Sequence, residues 1–499
     1  MPNKKRRNPW ERGAGILLAV SSLPSNYGIG SFGEEAYRFI DFLKEAGQKY
    51  WQVLPVGPTS FGDSPYQSFS AFAGNPYFID LDLLIEEGLI SKKELENCDW
   101  GSQEDAVDYA KIFEQRYKIL HIAFSRSNYK KNPEYLRFQA ENDYWLDDYC
   151  LFMSLKFYFE QKSWQDWPKK IRLMEPQAVT RYREELKNEI GFWRFCQYQF
   201  FRQWQQLKAY ANQNEIQIIG DIPIYAALDS ADVWTHSPMF LLDRDRRPVE
   251  VAGVPPDSFS KNGQLWGNPL YDWDKMEQDG FDWWKKRMAY SARIYDVIRI
   301  DHFIGIVRYF AIPAGDCNAH RGEWRKGPGI KLTGAIDSVL GETKVIAEDL
   351  GVLVPQVRKL LKRTGYPGMK VLQFAFNNGF ENEHLPSWYT NNLVVYGGTH
   401  DNETLAGHFL KRNKETNYAL EYLGVKRRKD IPDALLRAAY ASVANTVIFQ
   451  AQDFLNLPNS ARMNFPSTIG TNWKWRLKKG QLTKELAKKI NRITAIYGR

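Results

Sequence analysis

Short apolar runs that end in polar, chemically capable residues recur along this chain. They are GILLAVS (15–21), YWQVLP (50–55), QIIGDIPIY (217–225), VIRIDH (297–302), VIAEDL (345–350), VLQF (371–374), LVVYGGTHD (393–401) and DFLNL (453–457). The segments between them carry apolar residues at helical spacing, with a helix expected near 34–45 and another over 353–363, opened at Pro355. Runs without strict alternation predict strands buried on both faces, as in a parallel sheet. Eight of them alternating with helices predict an α/β fold of (β/α)₈ TIM-barrel type rather than an open doubly wound sheet. No GxGxxG follows any of the runs, which counts against a nucleotide-binding sheet.

The spacing is uneven. One catalytic barrel is expected to span 1–499, with a mainly helical subdomain inserted at about 82–212 and a second insertion at about 226–271. The first is rich in Trp (Trp145, Trp164, Trp167, Trp193), and the second in Pro, Gly and Asp. A third excursion lies between His302 and Ile346.

Composition narrows the class. Hydrophobic residues are 43% and charged residues 25% of the chain, the balance of a soluble globular protein. The formal charge is +8, but Lys and Arg are dispersed. The short runs KKRR (4–7) and KRRK (426–429) read as solvated surface, so no nucleic-acid partner is expected. The four cysteines form no CxxC, which argues against a zinc site or a disulfide framework and fits a reducing cytoplasm. Glu11 and Arg12 interrupt the N-terminal imitation of a signal peptide. No stretch approaches the ~20 apolar residues that span a bilayer. A cytoplasmic location without a membrane partner is expected.

Chemistry in such barrels sits at the C-terminal ends of the strands. Here those ends carry Asp221, Asp301, Glu348 and Asp401. Converging carboxylates suit either a hard-cation site or glycosidic chemistry, in which a nucleophilic carboxylate and a carboxylic acid stand about 5–5.5 Å apart when configuration is retained. Each acid alone reads as a helix cap or a loop ion pair. The neighbours Arg299, His302 and His400 favour the glycosidic reading, because donors beside a carboxylate hold it ionised and can grip sugar hydroxyls.

At this point the motifs matter more than the pattern. SSLPSNYGIGSFG (21–33), GDSPYQSFSAFAGNPYFIDL (62–81), GDIPIY (220–225), GVPPDSFS (253–260) and GQLWGNPLYDW (263–273) occur in order. RIDHF (299–303), AEDLG (347–351), GGTHDN (397–402) and MNFPSTIGTNWKWR (463–476) follow. Nearly end to end, the chain resembles the amylomaltases, the disproportionating 4-α-glucanotransferases of glycoside hydrolase family 77 in the α-amylase clan. The resemblance implies a retaining double displacement that moves α-1,4-glucan segments from a donor glucan to glucose or a maltooligosaccharide. It implies Asp301 as nucleophile, Glu348 as general acid and base, and Asp401 as the group that grips the ring hydroxyls. Arg299 would keep Asp301 ionised. Asp221, His302 and His400 would bind the donor glucose, and Tyr66 would stack on it. Trp266 and Asn268 would line the acceptor groove, while Asn464, Pro256 and Asp257 would also contact the glucan. The segment 253–260 would be a mobile lid, making 226–271 the substrate-covering insertion.

The resemblance implies no metal and no organic cofactor, and a monomer or small homo-oligomer. The chain departs from the family pattern at Ser258, where Tyr is frequent, at Ile304-Gly305-Ile306, where Arg-Gly-Phe is frequent, and over 316–320. A hydrolase and a silent glucan binder are the competing readings, but all three catalytic acids are present.

Overall fold

A computed structural model describes residues 10–60, 62–256, 260–351 and 354–499. The described strands are β1 (Gly13–Leu17), β2 (Tyr50–Gln52), β3 (Gln217–Ile222), β4 (Glu250–Val254), β5 (Gln264–Pro269), β6 (Val297–Ile300), β7 (Arg308–Pro313), β8 (Glu323–Lys326), β9 (Lys344–Ala347), β10 (Gly368–Val371), β11 (Leu393–Tyr396) and β12 (Thr446–Gln450). Eight run parallel in the order β10-β11-β12-β1-β2-β3-β6-β9. The two edges meet where the Ala347 N–H donates to the Pro367 carbonyl at 3.0 Å, so the sheet curls into a nearly closed TIM barrel.

Two of the eight strands lie elsewhere than their apolar runs indicate. The sixth occupies Gly368–Val371, ahead of VLQF, whose Leu372–Phe374 forms a 3₁₀ turn. The eighth is Thr446–Gln450 (TVIFQ), not DFLNL. Thr446, Val447 and Ile448 are β-branched, and TVIFQ is buried along its whole length between β11 and β1. DFLNL instead follows the strand into a short helix (Ala451–Phe454), and its Asn456 adopts φ +52°. Its apolar residues imitate a strand only because strand-length runs lack a diagnostic period.

Between β2 and β3 the chain is helical. The long helix Lys187–Gln213 packs on Asp143–Tyr158 and returns the chain to β3. Trp145, Trp164, Trp167 and Trp193 are all buried in this region and serve packing. The excursions after β3 and β6 are not independent of each other. They join as one antiparallel sheet in the order β5-β4-β7-β8, with β4 paired to β5 on one side and β7 on the other.

Candidate active site

The site begins with strand register. Asp221 lies opposite Arg299 in the β3–β6 ladder, and Arg299 lies opposite Ile346 in the β6–β9 ladder. This places the Arg299 guanidinium inside the barrel near its C-terminal mouth. Its Nη1 donates to both oxygens of Asp221 (2.7 and 2.6 Å) and to Asp301 Oδ1 (2.9 Å). The Arg299 and Asp221 side chains are 4% and 0% exposed, so water can satisfy neither. Burial alone would lower the Arg299 pKa, but Asp221 and Asp301 reverse this and hold it well above its ordinary value. The remaining Nε–H contacts the Met369 sulfur at 3.4 Å.

Asp301 follows β6 directly, its N–H bonded to the Ile222 carbonyl at 2.9 Å. The next residue turns sharply. His302 adopts φ +49°, a left-handed conformation unusual for a side chain with a Cβ. The turn points the His302 N–H at Glu348 Oε2 (2.7 Å), and the Leu350 N–H reaches Glu348 Oε1 (2.7 Å). Glu348 is thus fixed by backbone from two directions. Burial, then the nearby Asp301 charge, push its carboxyl up to about 8 despite these donors. Burial lowers His302 to about 4, so its imidazole is neutral at pH 7. Its Nε2 is buried without a partner among the described residues, and its ring meets Trp266 edge to face at 4.8 Å.

Across the mouth, Tyr66 stacks on His400 at 4.8 Å and donates its hydroxyl to Asp221 Oδ2 at 2.8 Å. Burial, then Asp221, hold the Tyr66 hydroxyl well above its ordinary pKa, so it remains a donor. Asp401 is held by Asn464, whose Nδ2 donates to Oδ1 at 2.6 Å, and His400 Nε2 lies 3.5 Å from the same oxygen. A cleft of about 240 Å³ gathers these groups, lined by Tyr66, Trp266, Asn268, Asp301, His302, His400, Asp401 and Asn464. Glu348, Arg299 and Asp221 reach it through the bonds above.

Asn268 lines the cleft, but its amide is committed to Gln67 (3.0 Å) and the Ala226 carbonyl (2.9 Å). Pro256 is exposed beyond β4 and does not line the cleft, and Asp257 lies outside the described residues. Other residues emerge only in three dimensions. Trp473 lines the cleft beside His400 and Tyr66, and Gln67 orients Asn268. Arg462 donates to the carbonyls of Asp401 (2.6 Å) and Asn464 (2.7 Å). Gln67 and Trp473 lie within the SPYQ and TNWKWR motifs, which was the available signal; nothing in the sequence marks Arg462. Among the described residues no group of three or more His, Cys, Asp and Glu is arranged to hold a metal, and no helix is long and apolar enough to cross a membrane.

A family model described as 4-alpha-glucanotransferase, for glycoside hydrolase family 77, matches residues 18–483. The chain is 49% identical to a 4-alpha-glucanotransferase of Clostridium butyricum, covering 97% of this chain and 100% of that one. It is 46% identical to one of Thermus thermophilus, covering 95% and 96%. Among solved structures it is similar to the amylomaltase from Streptococcus agalactiae in complex with acarbose. There the TM-score is 0.94 at 43% identity, over 98% of this chain and 100% of that one.

Proposed function

The chain belongs to glycoside hydrolase family 77, the 4-alpha-glucanotransferases, and we propose that it transfers α-1,4-glucan segments by a retaining double displacement through Asp301 and Glu348. Its 4-α-glucanotransferase activity on α-glucans is the family's. The observation that carries the mechanism is a division of two neighbouring carboxyl groups. Asp301 accepts from the Arg299 cation through Oδ1, whereas burial keeps Glu348 protonated at neutral pH.

In the first step Asp301 Oδ2, the oxygen not taken by Arg299, attacks the anomeric carbon. Glu348 gives its proton to the departing 4-oxygen, the C1–O bond breaks, and a glucosyl ester forms on Asp301. Esterification removes the Asp301 charge, one of the two influences that raise Glu348. Glu348 then becomes a stronger acid and stays ionised, which is what the second step requires. It takes the proton from an acceptor 4-hydroxyl as that oxygen attacks C1 and frees Asp301.

Asp401, positioned by Asn464, receives hydroxyls of the distorted donor ring. Neutral His302, with its unpaired Nε2, and His400 complete the ring's hydrogen bonds, and Tyr66 covers one face. An acceptor sugar outcompetes water when it is held over the ester in a groove that excludes solvent. Trp266 supplies one wall of that groove.

Incubation with maltotriose tests the reading. Glucose plus a ladder of longer maltooligosaccharides, at constant reducing-end count, is the expected product set. Glucose and maltose with rising reducing ends would make hydrolysis the main outcome and overturn transfer.

A further inference from the structure

Beyond the catalytic cleft a further cavity of about 380 Å³ opens beside the loop that follows Glu348. Asp349, Leu350 and Gly351 line one part of it, and residues 377–378 and 381–384 another. It shares no lining residue with the catalytic cleft. Its cations are already used, since Arg358 and Lys370 both pair with Glu383, so the cavity is not built for an anion. What remains is uncharged or singly bonded polar chemistry. Asp349 is 8% exposed and spends Oδ1 on the Met369 N–H, and the side chains of Asn378 and Glu381 face solvent at the cavity's edge.

Beside this cavity stand two aromatics that the fold does not use. Phe380 is 74% exposed and Trp388 54% exposed, and neither ring stacks on another aromatic among the described residues. The Trp388 ring is nonetheless held to this loop, because its Nε1 donates to the Phe380 backbone carbonyl at 2.8 Å. Phe380 lies one residue from the cavity-lining Glu381. Exposed rings, one of them held in place, beside solvent-facing amide and carboxylate groups suit one ligand chemistry: a neutral polyhydroxyl with apolar C–H faces.

We propose that Phe380, Trp388 and the adjoining cavity form a second α-glucan-binding site, separate from the catalytic cleft, that holds an outer stretch of a long glucan. The site rests on the α-glucan reading of the cleft for its ligand class. Its Asp349–Gly351 wall directly follows Glu348 in the chain, which places a tethered polymer near the groove that consumes it.

The test is the double variant Phe380→Ala/Trp388→Ala of the full chain, followed in native gels containing soluble starch and in assays on maltotriose and on amylose. Maltotriose disproportionation should match the wild type, which also reports folding. Starch retardation should weaken and the KM for amylose should rise about five- to tenfold, the size of one or two lost stacking contacts. Trp388→Phe, which keeps a ring, should retain most of the retardation. Unchanged retardation and unchanged amylose KM in the double variant would overturn the proposal. So would a wild-type dimer that the double variant converts to monomer with retardation intact, which would assign the face to self-association. A wild type that is retarded by starch yet fails to disproportionate maltotriose would count against the transferase mechanism alone.

Discussion

Asn464 donates to Asp401 Oδ1 at 2.6 Å, joining two loops at the barrel mouth that lie 63 residues apart in the chain. Arg462 fastens the same two loops through their carbonyls. The Asp401 carboxylate is therefore positioned by a segment beyond β12 and not by its own loop alone.

Arg462→Ala should lower kcat on maltotriose by about one order of magnitude, because both loops lose a charge-assisted bond of ~1.5–3 kcal/mol. Arg462→Lys, which keeps the charge but not the fork, should recover only part of it. In a cycle with Asn464→Ala the two losses should be strongly non-additive, since both act on Asp401. Additive losses would remove Arg462 from this role.

Glu348→Gln should reduce kcat on maltotriose by about 10²–10⁴-fold. With a maltooligosyl fluoride donor, whose leaving group needs no proton, the first step should recover and a glycosylated protein should accumulate, visible by mass spectrometry. Asp301→Asn should form no such adduct with either donor. An adduct on Asp301→Asn would reassign the nucleophile.

The proton on Glu348 also sets a pH dependence. Its pKa lies above the ordinary carboxylate value, at about 8, so the acid form needed for the first step is present at neutral pH and lost as pH rises through about 8. The kcat/KM for maltotriose should therefore fall on the alkaline side with an apparent midpoint near that value. A flat profile across this range would contradict the assignment.

Tyr66→Phe removes the hydroxyl that donates to Asp221 but leaves the ring against His400. A loss of about tenfold in kcat/KM is expected, roughly one hydrogen bond to a charged group. Tyr66→Ala should cost more, because it also removes the stacking surface.

The position of the eighth strand can be checked by stability. Ile448 is fully buried in β12, so Ile448→Ala should cost ~2–5 kcal/mol in a denaturant titration. Leu455→Ala, at a partly buried position past the strand, should cost clearly less.

Much of this organisation was legible beforehand because it is local. Apolar runs such as VIRI and KVIA carry their acids at the next position, and the ordered motifs RIDHF, AEDLG and THDN point to the family without tertiary information. What escaped was relational. DFLNL matches TVIFQ in apolar content, and only the packing of β12 between β11 and β1 decides between them. The turn at His302 that aims a backbone N–H at Glu348 has no glycine to announce it. Arg462 acts through carbonyl groups, which every residue possesses, so its partners leave no mark in the sequence.

The pairing of the two excursions into one antiparallel sheet constrains how this enzyme can be rebuilt. β4 sits between β5, which carries Trp266, and β7, which is separated from β6 and Asp301 by only a short helix. Grafting the 226–271 excursion from a relative without its 302–346 counterpart would set a foreign strand against β7 and expose unmatched edges. In chimeras the two segments form one inheritable module, and acceptor preference should travel only when both are exchanged together.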